Sequence, residues 1–221
     1  MSLEMQKVRD HCIRCGECCL KSSPTLHRED LFLVKMGLIE KRRLYTLRRG
    51  EAVRDNVQGG IVTAPQEMIK VRERAEGGCI FYTEDGNACA IYENRPVQCV
   101  ALKCWDTKEF MEVYKGAKLD RRSAVDNEIL IGLIEGHEKR CAYEVLEGQV
   151  KKIPAEGEKA VDGVLRILRF DFELRSMVVK RLGIPAEEVD FFFGRSLVDT
   201  IPMFGLKVLR RPGGSFFLTR V

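Results

Sequence analysis

The run CIRCGECC, residues 12–19, places four cysteines in eight positions, and the last two are neighbours. Cys12, Cys15, Cys18 and Cys19 follow the spacing C-x2-C-x2-C-C, and 59 residues without cysteine separate them from Cys79, Cys89, Cys99 and Cys104. Two residues between thiols let the backbone curl so that both sulfurs face one metal, as in zinc knuckles and iron–sulfur loops. Gly16 suits such a curl, because glycine adopts positive φ without strain. Cys18 and Cys19 complicate it. Adjacent side chains point to opposite faces of a strand and stand about 100° apart around a helix. The run is therefore expected to straddle two metal positions, or one multinuclear cluster, completed by the second group of four.

The chain has nine cysteines, an odd number that cannot all pair internally. The N-terminal segment MSLEMQKVRDHC lacks the apolar core of a secretion signal, which predicts a cytoplasmic protein, where structural disulfides are disfavoured. Buried thiols packing as small apolar groups are the alternative to ligation, but four of them in eight positions beside Arg14 and Glu17 favour ligation. Four thiolates leave the same net charge around Zn²⁺ as around an oxidised [4Fe-4S] core, and Arg14, Lys21, Arg95 and Lys103 could compensate either. The spacing leans toward an iron–sulfur cluster, with zinc close behind. Either metal would join two distant stretches, so binding would contribute to folding.

CIRCGECC, GGCIFY and CAIYENRPVQC, with the later Cys104, resemble the CxxCxxCC (YkgJ-type) family, described as zinc- or iron-chelating domains, over about residues 10–105. Members are similar in having eight cysteines, an aromatic after the fifth, and an element matched here by Ile91, Tyr92, Arg95, Pro96 and Cys99. The resemblance implies that Cys12, Cys15, Cys18, Cys19, Cys79, Cys89, Cys99 and Cys104 are the chelating set, and that Arg95-Pro96 shapes the loop before Cys99. A related domain in flagellin lysine methylases implies a second reading, a redox enzyme or an accessory factor in protein modification.

Along the chain, LHREDLFLVKMG predicts a helix stopped at Gly37, and IEKRRLYTLRRG a second helix ending at Gly50. Gly59-Gly60 reads as a loop, and EMIKVRE, CIFY and ACAIY as short strands. Pro96 fits the first turn of a helix carrying VQCVALKC. One helix is expected from Asp126 to about Leu146, with Leu130, Leu133, Ile134, His137, Cys141 and Val145 on one stripe. KKIPAEGEK, residues 151–159, reads as a linker or exposed bend. A helix from Glu158 to Leu182, a short one after Pro185, and a terminal hairpin around Pro212-Gly213-Gly214 complete the pattern. The expectation is a helix-rich α+β fold, with a cysteine-cluster domain over residues 1–150 and a helical segment with a terminal hairpin over residues 151–221.

Other candidates have plainer explanations. His11 adjoins Cys12 but competes with eight thiols, His27 reads as an exposed helix start, and His137 with Cys141 reads as a core histidine and a buried thiol. The basic run EKRRLYTLRRG reads as a solvated helix face, and a net charge of +4 gives little general attraction to nucleic acid. No stretch approaches the roughly 20 apolar residues of a membrane span. A phosphate loop, zinc-protease helix or nucleophile elbow is missing from the sequence, so the leading function is metal binding. Partners are the metal ion or cluster and an unidentified protein.

Overall fold

The structure, a computed structural model, describes residues 12–210 and 216–221. It is helix-rich α+β, with its strands in short antiparallel pairs. The chain begins in extended form and enters α1 (Glu17–Lys21). A 3-10 turn then leads into α2 (Leu31–Lys35), which ends ahead of the positive-φ Gly37.

The segment expected as a second helix is instead strand β1 (Leu44–Leu47), preceded by one 3-10 turn. Leu44 and Leu47 mimic a helical spacing, but Tyr45 and Thr46 favour an extended chain, and a partner strand settles the matter. After the hairpin β2 (Ala52–Arg54) and β3 (Ile61–Thr63), which turns at Gly59-Gly60, β4 (Met68–Val71) pairs with β1 in the register Leu44↔Val71 to Leu47↔Met68. The basic run is thus no helix face. Thr46 Oγ1 donates to Phe191 O at 2.7 Å, and Arg48 lies inside the molecule at 1% exposure.

The strands β5 (Tyr82–Thr83) and β6 (Ala88–Cys89) form a small hairpin, and α3 (Val97–Ala101) follows Pro96. Next come α4 (Lys108–Lys115) and α5 (Arg121–Ala124). The single helix expected from Asp126 to Leu146 is two, α6 (Glu128–Cys141) and α7 (Tyr143–Glu156), broken where Ala142 takes ψ 141°. Tyr143 drives the break: it is buried, and its hydroxyl donates to Thr200 Oγ1 at 3.0 Å. Residues 151–156 continue α7 with Pro154 in its last turns, and the bend falls at Gly157.

The long helix α8 (Glu158–Leu182) carries one apolar stripe that meets two clusters in turn along its length. Its Val164 and Leu168 join Leu146, Leu197, Ile201 and Phe216 in one cluster. Further on, Leu174 and Val178 join Leu33, Leu44, Ile69 and Phe191 in a larger one that also holds Cys79. Each such side chain contributes about 1.5–3 kcal/mol when fully buried. The chain closes with α9 (Val189–Phe193), α10 (Leu197–Thr200) and the hairpin β7 (Leu206–Arg210) with β8 (Phe216–Arg220). The expected turn residues Pro212-Gly213-Gly214 lie outside the described residues. Among the described residues no helix is long and apolar enough to cross a membrane.

Candidate metal centre

The early cysteines are positioned by a tight approach at Gly16. It stands before α1 with φ 76°, and an added Cβ would lie 2.6 Å from Tyr82 Oη. Only glycine fits both the backbone and the ring. Leu20 N donates to Gly16 O at 2.9 Å, so the first turn of α1 forms at once and carries Cys18 and Cys19. Their sulfurs lie 4.0 Å apart, closer than the divergence expected of neighbours. Tetrahedral ligation at a metal–sulfur distance of ~2.3 Å puts sulfurs roughly 3.8 Å apart, so this pair fits one centre.

The later cysteines are brought to the early ones by backbone. Cys79 N donates to Cys19 O at 2.6 Å. The preceding Gly78 has φ 82°, and a Cβ there would lie 2.9 Å from Cys19 O and 3.0 Å from Leu20 Cα. The β5–β6 register sets Cys89 opposite Tyr82, whose hydroxyl donates to Asn87 Oδ1 at 2.5 Å. Cys99 rides on α3, and buried Asp30 anchors that helix: its Oδ1 accepts from Val97 N at 2.8 Å and its Oδ2 from His27 N at 2.9 Å. Gln98 Oε1 accepts from Thr25 N at 2.6 Å, which fastens α3 to the chain just after α1.

Cys18, Cys19, Cys79 and Cys99 stand close enough to other thiols of the set for those neighbours to shape their ionisation. The Cys18 thiol is lowered to about 6, chiefly by the hydrogen bond from Cys19, with Arg95 helping. Cys19 is driven up by giving that hydrogen bond, by burial, and by the fields of Cys18, Cys99 and Cys79. Burial raises Cys79, with Cys89 adding to it, and burial raises Cys99, with Cys79, Cys89 and Cys18 adding. Thiols so placed resist ionising together unless a cation joins them, and binding one would release protons. The donor chemistry therefore suits a soft, thiophilic metal.

Cys12, Cys15 and Cys104 are exposed. Arg14 N donates to Cys12 Sγ at 3.4 Å, and Cys104 follows α3 in a turn closed by Asp106 N on Lys103 O at 3.0 Å. Among the described residues no three Cys, His, Asp or Glu side chains are already grouped as a metal cage. None of the nine cysteines is in a disulfide. His11 lies outside the described residues. His27, read as exposed, is buried at 1% because its segment inserts beside Lys118. His137 pairs with Asp171 at 2.7 Å, and the Cys141 thiol is buried beside Ile167 O at 3.9 Å. Of the compensating cations, Lys103 pairs with Glu109 at 2.5 Å, while Arg95 acts on Cys18 and Cys99. Sequence reasoning passed over Asp30, Gly78 and Tyr82; the double glycine before Cys79 was the readable signal.

No curated protein and no solved structure matches the chain. A family model does match, over residues 11–117: CxxCxxCC, described as "Putative zinc- or iron-chelating domain". That span contains both cysteine quartets, and over it the chain is similar to the CxxCxxCC family of zinc- or iron-chelating domains.

Proposed function

We propose that the protein binds iron, as an iron–sulfur cluster, or zinc, through the thiolates of Cys12, Cys15, Cys18, Cys19, Cys79, Cys89, Cys99 and Cys104, in the cytoplasm. The supporting observation is the Cys79–Cys19 backbone hydrogen bond, which sets the head of the later quartet against the end of the earlier one. Cys18, Cys19, Cys79, Cys89 and Cys99 supply the inner thiols, and Cys12, Cys15 and Cys104 close over them. Bound metal would cross-link residues 12–19 to residues 79–104 and stabilise the fold, and an iron–sulfur cluster would add one-electron chemistry. Arg95 offsets the thiolate charge, and Asp30 holds α3 so that Cys99 faces its partners.

The deciding experiment is anaerobic purification followed by elemental and sulfide analysis with visible spectroscopy. A brown protein with iron and acid-labile sulfide identifies the cluster; a colourless protein with stoichiometric zinc identifies the zinc form. A protein that takes up neither metal when offered them under reducing conditions defeats the proposal.

A further inference from the structure

The two ends of the early quartet are held in different ways. Cys19 is tied to Cys79 through the main chain, whereas Cys12 and Cys15 lie on exposed chain ahead of α1. Between them stands Arg14, whose Cζ lies 5.1 Å from the centroid of the Tyr92 ring. The same ring carries Arg95 Cζ at 3.7 Å, and Arg95 Nε donates to Tyr92 O at 2.8 Å. Tyr92 thus touches one arginine from each cysteine stretch, and a guanidinium over an aromatic face is attracted by the ring's quadrupole. Arg14 also has φ 54°. A non-glycine residue in that conformation is strained and persists where surrounding contacts hold it.

We propose that Arg14, docked on Tyr92, is a latch that holds the Cys12–Cys15 limb against the later quartet and sets how fast bound metal leaves. This rests on the metal-binding reading above. Because Cys12 and Cys15 flank Arg14, undocking withdraws both thiols together, while Cys19, Cys79 and Cys99 stay fixed by main-chain hydrogen bonds and by α3. Exchange of the metal then begins at one end of the site, through the exposed limb. Arg14 and Tyr92 act as positioning residues: neither is a ligand.

The test is transfer of metal from the loaded full-length protein to excess chelator, EDTA for zinc or bathophenanthroline for iron, combined with hydrogen exchange. Arg14→Ala and Tyr92→Leu are expected to speed transfer about two- to fivefold, on the scale of one exposed cation–aromatic contact, and Tyr92→Phe to keep the wild-type rate. In the loaded variants the amides of residues 12–16 should exchange faster while those of residues 79–89 stay as in wild type. Wild-type transfer rates in both Arg14→Ala and Tyr92→Leu would overturn the latch and leave metal binding intact, as would faster exchange spread over all these amides. Failure of the wild-type protein to hold either metal would overturn both. If Tyr92→Leu does not fold, Arg14→Ala decides alone, since Arg14 is exposed and its removal spares the core.

Discussion

Two regions of this molecule hold clustered ionisable groups, and they handle them in opposite ways. Around α8, Asp171 is wholly buried, yet its carboxylate accepts from His137 Nε2 at 2.7 Å, Arg175 Nε at 2.9 Å and Leu197 N at 3.0 Å. Burial alone would raise its pKa, but the hydrogen bond from His137 and the charge of Arg175 outweigh that and hold it at about 2. Arg121, equally buried, is met by Glu67, by Glu138 at 2.7 Å and by Phe192 O at 2.7 Å. These charges are compensated from within the chain. Around residues 12–104 the thiols chiefly meet other thiols: Cys19, Cys79 and Cys99 are raised by burial and by their thiol neighbours, while Cys18 is lowered by the hydrogen bond from Cys19. A cluster that closes on itself is architecture; one that needs a cation to become stable is a site.

The largest expected effect falls on the self-contained side. Asp171→Ala leaves Arg175 and His137 without their carboxylate and should cost about 3–5 kcal/mol in urea or thermal unfolding, while the folded fraction keeps its metal. Equal loss of metal would erase the distinction between the regions. Next comes Gly78→Ala, where positive φ and the approach to Cys19 O act together. It should cost about 2–3 kcal/mol and, unlike Asp171→Ala, lower the metal content of the folded protein.

Acid offers a third handle. Burial first, and Lys118 second, lower the pKa of His27 to about 4, so the folded state keeps the ring neutral while the unfolded chain protonates it near 6.5. The unfolded state therefore binds more protons between these values, and stability must fall as the pH drops from about 6.5 to 4. A loss of at most about 3 kcal/mol is expected for the metal-free protein, at ~1.4 kcal/mol per pH unit. It should vanish in His27→Gln. The smallest effect belongs to Cys12→Ser, which should change metal-free stability by less than ~0.5 kcal/mol, as an exposed substitution does, while still weakening retention of metal.

How much of this could be read from the sequence follows the same division. The cysteine spacing announced the family match, and Pro96, Gly37 and the alternation in residues 67–73 announced elements around it. Where a pattern was decided by a distant partner, it misled. Leu44–Leu47 is a strand because Met68–Val71 pairs with it. The break at Ala142 has neither glycine nor proline to mark it, since what it accommodates is Tyr143 reaching Thr200. In the polar stretch 151–159, Gly157 marked the true bend, while the six residues before it stay helical on α7. Asp30 was invisible as part of the site, and Tyr92 showed only as a motif position, because their roles depend on α3 and Arg14 arriving beside them.

X-ray absorption at the metal edge of the natively purified protein tests the central claim most directly. Sulfur alone in the first shell, at about 2.3 Å for zinc or with a short iron–iron distance for a cluster, is the predicted result. A first shell of oxygen and nitrogen would contradict it.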